Sequence, residues 1–214
     1  MMKKVFIIFF MLIFLMIENS FSFTTIKVHD WGNFTSDHKK RFKEIIHNVE
    51  LIINSEQFKL MVESYRVNGV KAYVENNNKS NVQIYKTLIL GAEVASPDID
   101  LQWDISFYAT VIPWMNSVIA YIRKGSNVIV YNSTFLPQDD PQHAKTICHE
   151  YVHLVGFYHD SFPDGPYYDT PAYAIGDICQ YMYISYFPEP IRLESEELKE
   201  IECSFSCWFK GLFK

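Results

Sequence analysis

Residues 149–160 read His149-Glu150-Tyr151-Val152-His153-Leu154-Val155-Gly156-Phe157-Tyr158-His159-Asp160. Just upstream, Asp140 is a good N-cap and Pro141 suits the first helical position, so a helix is expected from there to about Val155. His149 and His153 are four apart and project from one face of that helix, where two imidazoles can share a cation. Glu150 sits beside such an ion rather than on it, and its carboxylate can take a proton from an activated water. His159 cannot reach the same point along a straight helix. Gly156 supplies the bend: a residue without Cβ takes φ > 0 at low cost, ends the helix and lets the third imidazole return. Three neutral nitrogen ligands leave a fourth position open, the arrangement of a catalytic Zn2+ ion, whereas structural zinc is normally closed by four protein ligands.

The elements around this helix predict an α+β fold. Ile105, Phe107, Ala109 and Val111 alternate, and residues 118–122 and 128–131 flank Arg123-Lys124-Gly125-Ser126-Asn127, a β-hairpin signal. Earlier, residues 25–29 read as a short strand and Trp31-Gly32-Asn33 as a turn. Ser36 or Asp37 can then cap a helix whose Phe42, Ile45, Ile46, Val49 and Ile53 form one apolar stripe. A second amphipathic piece covers 57–65, a polar loop covers 76–81, and 82–92 reads equally as a helix or a buried strand. Downstream, Asp169 or Thr170 can cap and Pro171 can start a helix through Ala172, Ile175, Ile178 and Met182. His143 reads as a solvated surface residue, and His29, His38 and His47 carry no signal.

With 214 residues and 49% hydrophobic content, the chain can bury one substantial core, so residues 23–214 are expected to form a single domain. Its net charge of −6 is scattered, and no Lys/Arg cluster marks a phosphate-binding face, which argues against a nucleic-acid partner. Residues 1–22 read as a secretory signal: Lys3 and Lys4 precede an uncharged apolar run from 5 to 17, and Ser20-Phe21-Ser22 suits cleavage after Ser22. An uncleaved anchor is the alternative. Export, to the extracellular space or a periplasm, favours disulfides, with Cys148 paired to Cys179 and Cys203 to Cys207 as the preferred connectivity.

The pattern HExxHxxGxxH at His149, Glu150, His153, Gly156 and His159 resembles the signature of the metzincin clan of zinc endopeptidases. The added Asp160 is similar to the adamalysin (reprolysin) variant. The resemblance covers residues 149–160 and no more. It implies a zincin-like domain with a twisted mixed sheet, a backing helix, an active-site helix and a small C-terminal subdomain. One catalytic Zn2+ would sit on His149, His153 and His159, with Glu150 as general base for hydrolysing a protein or peptide substrate. The same resemblance puts Val128–Asn132 close to the cleft's edge strand, where a substrate pairs through its main chain. A secreted monomer without membrane contact after signal cleavage is expected.

Two departures accompany it. Met182 is the only later methionine, and its surroundings read as a helix rather than the tight methionine turn of the clan. None of Tyr167, Tyr168, Tyr173, Tyr181 and Tyr183 has the usual spacing for an oxyanion-stabilising tyrosine. Two alternatives stay open: a gluzincin-like site in which Glu189 or Glu194 replaces His159, and a secreted zinc-binding module without catalysis.

Overall fold

Alternation over residues 102–110 produces a strand with one wholly buried face, and that face organises the rest of the molecule. The computed structural model describes residues 23–112, 118–159 and 169–188; the expected leader, Asp160, Glu189, Glu194 and the Cys203–Cys207 pairing lie outside them. Strands β1 (Thr25–Gly32), β2 (Gln102–Thr110), β3 (Ala120–Ile122) and β4 (Val128–Asn132) form a mixed sheet in the order β1-β2-β4-β3. β1, β2 and β4 run parallel, and β3 is antiparallel to β4, joined to it by the expected hairpin turn. The helices are α1 (Ser36–Ile53), α2 (Glu56–Ser64), α3 (Asn81–Leu90), α4 (Asp140–Leu154) and α5 (Pro171–Tyr186). Among the described residues this is an α+β fold, and no helix is long and apolar enough to cross a membrane.

Trp103, Ile105, Phe107 and Ala109 point to one side of β2, and α1 and α4 both cover that side. Phe42 of α1 packs edge-on against Phe107 and Tyr131, while Tyr151 of α4 stacks on Trp103 with ring centroids 3.6 Å apart. Burying side chains of this size removes apolar surface from water at about 25 cal/mol per Å², the main force holding the helix layer to the sheet. α5 then lies against α4, where Gly176 lets the helices approach closely. A Cβ at Gly176 would stand 3.1 Å from the carbonyl oxygen of Lys145 and 3.3 Å from Cβ of His149.

Several expectations are corrected. α1 is capped by Thr35, whose hydroxyl accepts from the backbone N–H of His38, and α4 by Asp139, whose carboxylate accepts from that of Gln142. In both cases the capping side chain accepts from the third residue beyond it, and the helix starts at the residue expected to cap it. Trp31 and Gly32 continue β1, and the turn falls at Asn33, which has φ +61°. The ambiguous segment 82–92 is a helix, fixed at its start by a reciprocal Ser80–Gln83 capping box and at its end by Gly91 in the left-handed region.

Val128–Asn132 lies next to an edge strand, as expected, without being the edge itself. β4 is interior, paired on both sides and buried from Ile129 to Asn132, and the edge belongs to β3. His143 is fully buried rather than solvated, packed against Phe42 and hydrogen-bonded through Nε2 to the Leu136 carbonyl at 3.2 Å. Burial pushes its imidazole down to about 4, so it is neutral. Cys148 and Cys179 do meet across α4 and α5, as buried thiols in hydrogen-bonding contact and not as a disulfide. Met182 is a core residue inside α5, away from any turn.

A buried carboxylate under the sheet makes stability depend on pH. Glu93 accepts from the Tyr151 hydroxyl at 2.7 Å and the Asp104 N–H at 3.1 Å, yet burial outweighs both and pushes its carboxyl up to about 7. The folded chain therefore holds a proton that the unfolded chain releases near pH 4.5, and stability falls as pH rises from about 4.5 to about 7. Glu93→Gln keeps an acceptor for both bonds without the charge. In chelator-treated protein its melting temperature should change less between pH 5 and pH 8 than that of the parent, at about 2–4 °C per kcal/mol recovered. Identical slopes in thermal melts would exclude Glu93 as the group responsible.

Candidate metal centre

α4 enters the site from a clamped start. Arg41 of α1 donates to the Asp140 carboxylate at 2.6 Å, to the Leu136 carbonyl at 3.0 Å and to the Gln138 carbonyl, fixing the loop from which the helix springs. The helix ends where the sequence requires it. Gly156 has φ +94°, its N–H donates to the His153 carbonyl at 3.0 Å, and the N–H of Phe157 reaches back to the Val152 carbonyl at 3.2 Å. That pair of bonds is a Schellman cap, with the buried Phe157 and Val152 supplying its apolar contact. The chain reverses there and delivers His159 to the face that already carries His149 and His153.

The ligand atoms of the three histidines lie within 4.8 Å of one another. Nε2 of His149 is 3.2 Å from Nε2 of His153 and 3.5 Å from Nε2 of His159. A tetrahedral zinc with Zn–N bonds of about 2.0–2.1 Å requires nitrogen separations of roughly 3.3–3.4 Å. The two separations from His149 match that geometry, so the cluster is compatible with such an ion. The outer nitrogens are occupied in the way a ligand needs: Nδ1 of His153 donates to the Phe157 carbonyl at 2.6 Å, and His149 is bonded to the backbone carbonyl of Ala172. Each such bond fixes the tautomer and aims the remaining lone pair. The helix cap and the ligand orientation thus share one residue, Phe157.

Electrostatics keep His149 and His153 unprotonated. Burial, followed by the neighbouring His153, His159 and Lys145, holds His149 well below the usual imidazole range. Burial likewise takes His153 down to about 4, against the opposite pull of its bond to Phe157. Glu150 is 5% exposed, and burial pushes its carboxyl up to about 8. A cation nearby would favour its charged form and bring it down again.

Glu150 and His149 open onto a cleft of about 300 Å³, lined also by Val118, Ile119 and Ala120 at β3, by Gln142, Lys145 and Thr146 on α4, and by Tyr173. Tyr173 is the site residue that spacing did not reveal. Its ring lies 4.5 Å from that of His149 and 4.8 Å from that of His159. The usable signal was Gly176: glycine inside a helix costs about 1 kcal/mol relative to alanine and calls for a packing reason. Here that reason is the close crossing of α5 over His149, which carries Tyr173 into the site. The polar loop at 76–81 also contributes, through Asn77, whose side chain donates to the Gly156 carbonyl at 3.0 Å.

Fold and site together define an α+β protein with a three-histidine cluster that could hold a metal ion. No family model, no curated protein and no solved structure matches the chain.

The turn at Gly156 can be tested directly. A Cβ there would face Cγ2 of Val94 at 3.2 Å, in a backbone region side chains rarely occupy. Gly156→Ala should weaken zinc binding about 10- to 100-fold, the range seen when groups that orient ligands are disturbed. His159→Ala should weaken it further. Competition with a chromophoric chelator measures both, and wild-type affinity in His159→Ala would remove that residue from the ligand set.

Proposed function

We propose that this protein is a secreted zinc endopeptidase of the metzincin type with a zincin-like domain. The observation that carries this reading is the tripod of inward-aimed imidazoles with Glu150 next to it, opening on a cleft beneath an antiparallel edge strand. The position of His159 beside the other two favours a three-histidine site over one completed by a downstream glutamate. Three protein ligands leave a coordination position open, which suits catalysis better than structural support. The apolar leader expected at residues 1–22 supports export.

Zinc, when bound, would polarise the scissile carbonyl and acidify water. The remaining work belongs to the chain. Glu150 takes the proton of the attacking water and returns it to the leaving amine, a transfer aided by the dry pocket around its carboxyl. β3 offers main-chain groups on its open edge to an extended substrate. Tyr173 packs on the rings of His149 and His159 and brings a phenol to the cleft wall, a donor for charge developing on the carbonyl oxygen.

Glu150→Gln should lower turnover of a casein-type substrate about 100- to 10,000-fold, the usual share of a general base, while zinc stoichiometry stays at one. Full activity in that variant would overturn the assignment. Treatment with a chelator should abolish cleavage and zinc addition should restore it. Tyr173→Phe should reduce kcat with KM and zinc content little changed; unaltered kcat would confine Tyr173 to packing.

A further inference from the structure

The far end of the cleft carries a chemical preference, one that rests on the peptidase reading of the site. From His149 back to Gln142 the wall of the cleft follows α4 for seven residues, about 10 Å at 1.5 Å per residue. The trough therefore extends past the reacting centre with room for an extended side chain. Val118, Ile119 and Ala120 line it without charge. Among the described lining residues, Lys145 is the one cation and Glu150 the one carboxylate, and Glu150 is committed to moving the proton.

The groups at that end are donors. Lys145 is 26% exposed and its ammonium meets Asp177 of α5, which is not part of the lining. An ammonium has three N–H donors, and one partly exposed carboxylate does not saturate them. The carbonyl oxygen of the Gln142 side chain is engaged by Nε2 of Gln180 at 3.3 Å, so its own NH2 group is the part left to donate. Thr146 spends its hydroxyl proton on the Gln142 backbone carbonyl at 2.9 Å. A cleft whose far wall is built by a lysine and a glutamine, with no carboxylate among the described lining residues at that end, is complementary to an acceptor with negative charge.

We infer that this trough is a specificity pocket for an acidic side chain, receiving a substrate glutamate next to the scissile bond on the Lys145 ammonium and the Gln142 amide. Aspartate is one methylene shorter and reaches those donors less well. Asp177 holds the ammonium in place between substrates, and because that pair is partly exposed, exchanging one carboxylate for another costs little.

The test uses zinc-loaded protein and hexapeptides that differ only in Glu, Gln or Lys at one position beside the cleaved bond, that position being found first with a randomised mixture. Glu peptides should be cleaved about 10-fold faster than Lys peptides, as expected for exchanging one ion pair for a repulsion. Lys145→Glu should reverse the order, and Asp177→Asn should sharpen it by freeing the ammonium. Titration calorimetry of the same peptides on Glu150→Gln gives a readout independent of turnover and should show Glu binding tightest. Equal cleavage and binding of the three peptides, no binding of any, or an order unchanged in Lys145→Glu would overturn the pocket. Ordered binding without cleavage by the parent protein would uphold the pocket and remove the peptidase reading instead.

Discussion

One backbone reversal, the Schellman cap at Gly156, holds the site together. A straight continuation of α4 would carry His159 away from His149 and His153; a left-handed residue after Val155 brings it back within 3.5 Å of His149. The same cap exposes the Phe157 carbonyl to Nδ1 of His153, so one turn both recruits the third imidazole and fixes the tautomer of the second. Local hydrogen bonding of the main chain thereby sets the geometry of the three-histidine cluster. The surroundings lock it in, with Asn77 bonded to the Gly156 carbonyl and the N–H of Val94 to the carbonyl of Leu154.

Holding three imidazoles this close is costly if any is charged, and the fold avoids the cost by burial. α4 lies between the sheet and α5, with Tyr151 stacked on Trp103 on one side and Gly176 seated against His149 on the other. In that setting the neutral forms of His149 and His153 are favoured, which is also the form that coordinates metal. Burial raises the Glu150 carboxyl for the same reason, so the neutral imidazoles and the raised carboxyl have a common origin. The cleft opens where β3, the antiparallel edge strand among the described residues, borders α4.

Readable features were those whose physics is local. Phe42, Ile45, Ile46, Val49 and Ile53 fall on one helical stripe and are all buried, and the hairpin around Arg123–Asn127 forms as its turn residues require. The helix through Ala172, Ile175, Ile178 and Met182 starts at Pro171, whose fixed φ suits the first helical position. Misread features depended on distant partners. His143 carries an ordinary helix-surface signature, and only the approach of Phe42 from α1 buries it. The proximity of β4 to the edge was anticipated, whereas its parallel pairing with β2 is a contact that periodicity does not encode.

The spacing of His149, His153, Gly156 and His159 determined by itself that three imidazoles can converge, because i, i+4 geometry and the glycine turn act within a dozen residues of chain. Tertiary structure alone decided which strand forms the cleft edge, that Tyr173 rests on two of the histidines, and that Lys145 lines the cleft while its ammonium meets Asp177. Those facts come from how α5 crosses α4 and how β3 folds back on β4. Such packing is selected by the fit of whole surfaces, and no short stretch of sequence specifies it.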